Sequence, residues 1–395
     1  MYDRAGIRMG EAQMIPLSIP NFIGNESKYV MDALNAGWVS TAGSYVNSFE
    51  KSVAAFVKAK GAVACQSGTA GLHVALMLMG VTSSDAVIVP ALTFIAAVNP
   101  VAYIGAEPIF MDCDDSLCMD PAKVRTFCEQ ECHMDSDRLI ENATGRHVKA
   151  LTVVHVFGNM ADMEALMDIA AEFHLCVVED ATEALGTYYT AGRYAGKFAG
   201  TIGNVGVYSF NGNKIITTGG GGMIVSEDEQ LLRHARHLTT QAKADELNFI
   251  HDEVGYNYRL TNLQAALGLA QMEELPGFIQ VKQKNYAAYA EGVKHIPGLR
   301  LLEFREGVNS NHWFYALYLE DRYPLKRDAL IQKLAEMSIQ TRPIWGLICD
   351  QKPYRMARAY KVTQARIYHE HVINVPCSTN LTSEEVEQVL AALKG

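Results

Sequence analysis

The chain has 395 residues, 49% of them hydrophobic, and its 34 basic against 44 acidic side chains leave a formal charge of −10. That length suits one large domain with a smaller one, and the acidic balance argues against a broad surface for nucleic acid or anionic membrane while allowing local basic pockets. No apolar run approaches the roughly 20 residues that span a bilayer, and the opening "MYDRAGIRMGEAQMIPLS" lacks a signal peptide's apolar stretch, so a cytoplasmic protein without membrane or nucleic-acid partners is expected.

The first two-thirds of the chain alternates short β-branched runs with helical patterns, the signature of βαβ units around a largely parallel sheet. "GAVACQ" (61–66) reads as a strand and "SGTAGLHVALMLMG" (67–80) as a turn feeding a helix. "DAVIVP" (85–90) and "EPIFMDCD" (107–114) are the next strands, followed by a buried one at 148–158. "DMEALMDIAAEFH" (162–174) carries apolar residues at i, i+3, i+4 and i+7, an amphipathic helix. "LCVVEDA" (175–181), "VGVYSF" (205–210) and "GGMIVS" (221–226) complete the strands of this part. Beyond Thr261 the texture becomes helical to residue 296, with an interruption expected at Pro276. "HWFYALYL" (312–319) and "IQTRPIWG" (339–346) are strand-like, and Thr382 with Glu385 forms a capping box for a terminal helix. A tail (1–14), a large domain (15–258) and a small C-terminal α+β domain (259–395) are expected.

Ligands of open α/β sheets bind beyond the carboxyl ends of the strands. "SGTA" after the first strand would put small residues at a helix start, where free N–H groups favour an anion such as phosphate, or would serve as an ordinary N-cap. No G-x-x-x-x-G-K-[ST] loop is present, and Gly219–Gly222 lacks the spacing of a dinucleotide fingerprint. Asp180 ends an apolar strand; a carboxylate there is a cap, half of a buried ion pair, or the partner of a bound cation. His155, ending the neighbouring strand, reads equally as a satisfied core histidine. Lys214 follows another strand among small residues, where lost solvation would favour a nucleophilic amine. The adjacent glycines would either admit a flat ligand or form a flexible loop. Cys113, Cys118, Cys128 and Cys132 with His133 form a loose cluster without paired C-x-x-C knuckles, so reduced thiols and no metal are expected. A phosphate-friendly helix start, a strand-end aspartate and a pocket lysine, in that order, match the phosphate, ring nitrogen and aldehyde of pyridoxal 5′-phosphate.

The chain resembles the DegT/DnrJ/EryC1/StrS family of fold-type-I aminotransferases over roughly residues 15–395. The likeness rests on "GWVSTAG" (37–43), "QSGTAGLHVAL", "PALTFIAAVNPVAYIGAEPIFMD", "VVHVFGNMADM", "VVEDATEALG", "YSFNGNKIITTGGGGMIV" and "GYNYRLTNLQAALG" (255–268), in family order. It implies a homodimer that takes up pyridoxal phosphate, passes through pyridoxamine phosphate, and moves an amino group from glutamate to a nucleotide-linked keto sugar. Gly68, Thr69, Ala70 and Ser209 would hold the phosphate, with Asn257 reaching it from the neighbouring subunit. Phe94 would stack on the ring, Asp180 would pair with its nitrogen, and Lys214 would condense with the aldehyde. His155 and Glu183 would lie beside the cofactor. Trp38, Ser40, Thr41, Arg259 and Trp345 are the candidates for substrate contact; diphosphate donors are sought in the first 40 residues or in 352–358. The family's usual D-x-x-Q is here Asp180-Ala-Thr-Glu183, and S-F-[HY]-P-x-K is S-F-N-G-N-K. Both departures, with "TRPIWGLICDQKPY" (341–354), resemble the branch acting on UDP-linked 4-keto-6-deoxy-N-acetylhexosamines. Amination of another 4-keto or 3-keto sugar linked to GDP or dTDP, or a non-catalytic cofactor-binding regulator, are the alternatives.

Overall fold

The computed structural model describes residues 14–394; residues 1–13, nearly all of the expected tail, and Gly395 lie outside the described residues. Helices α1 (Glu26–Asn35) and α2 (Ser44–Val57) precede β1 (Gly61–Cys65), α3 (Gly68–Leu78), β2 (Asp85–Pro90), α4 (Asn99–Ile104), β3 (Glu107–Met111) and α5 (Pro121–Glu131). A hairpin of β4 (Cys132–Asp135) and β5 (Arg138–Glu141) leads into β6 (His147–Val154), α6 (Met163–Glu172), β7 (Cys176–Asp180), β8 (Tyr188–Tyr189), β9 (Val205–Ser209) and β10 (Gly222–Ser226). Then follow α7 (Glu229–Thr239), β11 (Lys243–Asp245), β12 (Ile250–His251) and α8 (Asn262–Val293). The remainder holds β13 (Leu299–Leu301), β14 (Val308–Asn309), β15 (Tyr315–Leu319), α9 (Arg327–Glu336), β16 (Arg342–Pro343), β17 (Ala359–Tyr360), α10 (Gln364–His371), β18 (Val372–Val375) and α11 (Ser383–Lys394).

The main sheet runs β1-β10-β9-β7-β6-β2-β3-β17, with β5 against β6. Its strands from β9 through β7, β6, β2 and β3 to β17 are parallel, while β10 is antiparallel to both neighbours. Parallel strands covered on both faces are built mainly of apolar residues, as in the buried runs 86–90 of β2 and 150–154 of β6, because neither face meets water. The expected α/β architecture of fold type I is therefore present. The reversed β10 has a functional consequence. It begins, at Gly222, on the edge where β1, β7 and β9 end, which brings the glycine run to the carboxyl side of the sheet.

Local signals seat the helices as their caps suggest. Ser67 accepts from the Ala70 N–H, Asp162 from Ala165, and Asp228 from Gln230 and Leu231. The capping box at Thr382 and Glu385 is formed in both directions. Two expectations are corrected. The strand expected over 148–158 stops at Val154, because Phe157 (φ 56°) and Gly158 (φ 88°) turn the backbone left-handed. Pro276 does not interrupt α8, whose 32 residues form one helix about 48 Å long. A proline removes one ladder bond, and packing of α8 against α1 and α2 near its start and α11 near its end holds the helix through it. This helix begins at Asn262, just past the expected boundary at 258/259. A second sheet, β13-β15-β18-β16, is antiparallel throughout. No described helix is long and apolar enough to cross a membrane.

Candidate active site

The ends of β1, β7 and β9, the start of β10 and the segment before β15 enclose a cavity of about 360 Å³. Gly68, Thr69, Phe94, Asp180, Glu183, Ser209, Lys214 and Trp345 all line it, so residues far apart in sequence meet there. At one end, α3 presents its first turn. Ser67 Oγ takes the Ala70 N–H and Ser67 O takes the Gly71 N–H, which leaves the Gly68 and Thr69 N–H groups as the anion-facing donors of that turn. Ala70 does not line the cavity, and its amide is taken up by the cap. A Cβ on Gly68 would meet Ser209 Cβ at 2.9 Å, so Ser209 sits directly across the helix start.

At the other end lies Asp180, buried on the tip of β7. Its recorded hydrogen-bond donor is the Thr182 N–H at 3.1 Å, and no cationic side chain among the described residues makes an ion pair with it. Burial raises its carboxyl pKa, with the Thr182 hydrogen bonds and the Lys214 charge opposing. A buried carboxylate with an oxygen on a cavity and no protein cation is suited to a ligand that brings its own positive charge. Anion donors at one end, a carboxylate at the other and an amine between them fit pyridoxal phosphate.

Lys214 Nζ stands 3.6 Å from Glu183 Oε1 and 4.1 Å from the centre of the Trp313 ring. The Trp313 indole N–H in turn donates to Asn213 O at 2.8 Å, fastening the turn before the lysine to the segment leading into β15. Glu183 Oε2 accepts the Phe157 N–H at 2.8 Å, so the left-handed turn at Phe157 serves to aim that amide at the carboxylate. Burial pushes the Glu183 carboxyl up to about 7, with the Lys214 charge and the Phe157 hydrogen bond opposing. An acid raised on folding keeps its proton over a range where the unfolded chain has lost it, so stability falls as pH rises from 4.5 toward 7. Glu183→Gln in cofactor-free protein should therefore gain stability over the parent between about pH 5 and about pH 8, by at most ~3 kcal/mol. Denaturant melts at both pH values check this, and a difference independent of pH would refute it.

Several expected residues lie elsewhere. His155 is fully buried, with Nδ1 accepting from Ala161 and Nε2 donating to Glu179 at 2.8 Å. Its backbone N–H bonds to Asp180 O, so it supports the β7 end while its ring stays off the cavity. Trp38, Ser40, Thr41, Asn257 and Arg259 do not line this chain's cavity; Asn257 is exposed and accepts from Arg259. The glycine run has divided duties. Gly220 and Gly221 line the cavity, whereas a Cβ on Gly222 would strike the Ser67 backbone at 2.6 Å. Glycine at 222 thus serves the seating of β10 against the start of α3. Trp313, Thr182 and Asn213 line the cavity without having been singled out. "HWFYALYL" reads as a strand by its composition, and nothing local marks its tryptophan as the wall beside a lysine 99 positions earlier.

Comparison with known proteins bears on this arrangement. The profile of the DegT/DnrJ/EryC1/StrS aminotransferase family matches residues 21–394. The chain is 36% identical over 96% of its length and 95% of the other's to EpsN of Bacillus subtilis, provisionally assigned as a pyridoxal phosphate-dependent aminotransferase. It is 34% identical, over 98% and 99%, to GDP-perosamine synthase of Caulobacter vibrioides. The solved structure of DesI in the presence of its TDP-sugar product superposes with a TM-score of 0.85 at 25% identity, covering 97% of this chain and 93% of that one.

Proposed function

This chain belongs to the DegT/DnrJ/EryC1/StrS aminotransferase family, and from that premise we propose that it moves the amino group of glutamate to the 4-keto carbon of a UDP-linked 4-keto-6-deoxy-N-acetylhexosamine. It is a pyridoxal phosphate-dependent nucleotide-sugar aminotransferase. The observation that carries the reading is the meeting of Asp180, Glu183 and Lys214 on one cavity with the first turn of α3.

When bound, pyridoxal phosphate supplies an electron-withdrawing ring that accepts the electron pair released as the amino carbon loses its proton, and in its pyridoxamine form it carries the amino group between the two half-reactions. The Gly68 and Thr69 N–H groups and Ser209 Oγ would bind its phosphate. Phe94, half exposed at the cavity wall, would lie against its ring. Asp180 would hold a proton on the ring nitrogen, its own burial being offset by that charge. Lys214 would anchor the aldehyde and afterwards take and return protons at the reacting carbons. Glu183, with Oε1 3.6 Å from that amine, would help orient it, and Trp313 would shield it from water.

The UDP-linked sugar is supported by Glu183 in place of the usual amide, by the Asn211-Gly212-Asn213 turn before the lysine, and by Trp345 on the cavity wall. A GDP-linked substrate is the second reading, favoured by the similarity to GDP-perosamine synthase. We also propose a homodimer in which Asn257, Arg259 and the 38–41 segment serve the neighbour's cavity. Phe22, Ile23, Met31, Leu34, Trp38 and Val39 are exposed within a short stretch, an apolar concentration that suits coverage by a second copy. The large domain would span 15–258 and the small one 259–395. A panel of UDP-, GDP- and dTDP-linked 4-keto sugars with glutamate, followed by NMR of the product, tests the substrate. Preference for the UDP sugar is expected; preference for GDP or dTDP overturns it.

A further inference from the structure

We infer that the chain carries a divalent-metal site, distinct from the cofactor cavity, formed by His234 and His237 of α7 and by Asp252 and Glu253 just after β12. The two histidines are three apart on one helix and therefore share a face. His234 Nε2 lies 2.8 Å from Glu253 Oε1, and His237 Nε2 lies 2.7 Å from Asp252 Oδ1 and 3.7 Å from Glu253 Oε1. The donor atoms of His237, Asp252 and Glu253 all fall within 4.8 Å of one another. Four ligands on a tetrahedral zinc ion with bonds of ~2.1 Å stand about 3.4 Å apart. Three of these donors already stand close enough to share one ion, and His234, which reaches Glu253 but lies outside that group, would turn in as the fourth.

The charges point the same way. Among the described residues, neither Asp252 nor Glu253 is paired with a lysine or arginine; their recorded cationic partners are these histidines alone. Two carboxylates and two neutral imidazoles carry the two negative charges that a divalent ion neutralises. As ordinary surface pairs these contacts would be worth little, since all four side chains are partly or fully exposed. Nitrogen and oxygen donors in equal number, without a thiolate, suit zinc or a neighbouring transition metal rather than calcium or magnesium. The sequence offers no familiar metal motif here, because the second pair of ligands comes from a separate segment.

The ion would fasten the β11–β12 hairpin to α7. The tip of that hairpin is exposed, Leu247 by 85% and Phe249 by 75%. It runs on into 255–259, whose backbone returns to α7 through Tyr256 N–H to Leu238 O and the Thr240–Asn257 bridge. The site stands independently of the proposed sugar substrate.

Chelator-treated protein with its cofactor, titrated calorimetrically with zinc chloride in a non-coordinating buffer, should bind one equivalent per chain at micromolar concentrations. His234→Ala with His237→Ala should weaken that binding by more than ~100-fold, since losing even an outer partner of a metal ligand costs about 10–100-fold. Zinc should also slow hydrogen exchange in residues 243–253 of the parent and not of the double variant. These histidines are exposed and outside the core, so the variant folds. Absence of zinc binding at micromolar concentrations, or equal binding by parent and double variant, overturns the site.

Discussion

Lys214→Ala should end transamination, lowering turnover by about 10⁴-fold or more, since one side chain supplies both the covalent anchor and the proton carrier. The fold should survive. Lys214 lies on the cavity wall rather than in the core, and its described partners are the Glu183 carboxylate and the Trp313 ring. Loss of a cation–π contact costs about 0.5–2 kcal/mol, and the buried Asp180 and Glu183, deprived of the one charge that lowers both, would take up protons more readily. Borohydride reduction of the parent should fix the cofactor to the Lys214 peptide, and the alanine variant should show no such adduct by mass spectrometry. Full activity in the variant, or an adduct on another lysine, would remove Lys214 from the mechanism.

Asp180→Asn should lower turnover by roughly 10²–10⁴-fold while leaving the fold intact, because the charge opposite the ring nitrogen is removed and the shape is kept. Asparagine retains an oxygen for the Thr182 N–H, the described contact of the aspartate. The direction of the stability change separates this role from a merely structural one. Burial raises the Asp180 carboxyl, so the cofactor-free chain bears a cost for charging that site as pH rises. A neutral amide avoids it, and the variant should be at least as stable as the parent near neutral pH in a denaturant melt. Lost activity with unchanged or increased stability supports the assignment. Near-normal turnover would refute it, and so would a loss of activity explained by unfolding.

Much of this molecule could be read before it was seen. Parallel strands buried on both faces are built mainly of apolar residues, so the bodies of β2, β6 and β7 stand out by composition. Helix caps are local hydrogen bonds between near neighbours, which is why the pair Thr382 and Glu385 could be identified from four positions. The order of small-residue helix start, strand-end Asp180 and Lys214 predicted a common cavity because strand ends of one parallel sheet share an edge. Pro276 is the opposite case. Its cost to a helix is fixed locally, but whether the helix bends or breaks depends on what packs against it.

The sequence by itself determined the architecture and the chemical groups at the strand ends, since both follow from burial periodicity and from where a strand must stop. It did not determine how those groups are held. The left-handed turn that aims the Phe157 amide at Glu183, the Trp313 ring over Lys214, the diversion of His155 to Glu179 and the packing of Gly222 on Ser67 each join segments distant in the chain. Such contacts leave no period and no local signature, because each partner is an ordinary residue in its own neighbourhood. Only the close approach of the folded backbone decides which donor meets which acceptor, and the same holds for the two histidines and two carboxylates between α7 and the β12 end.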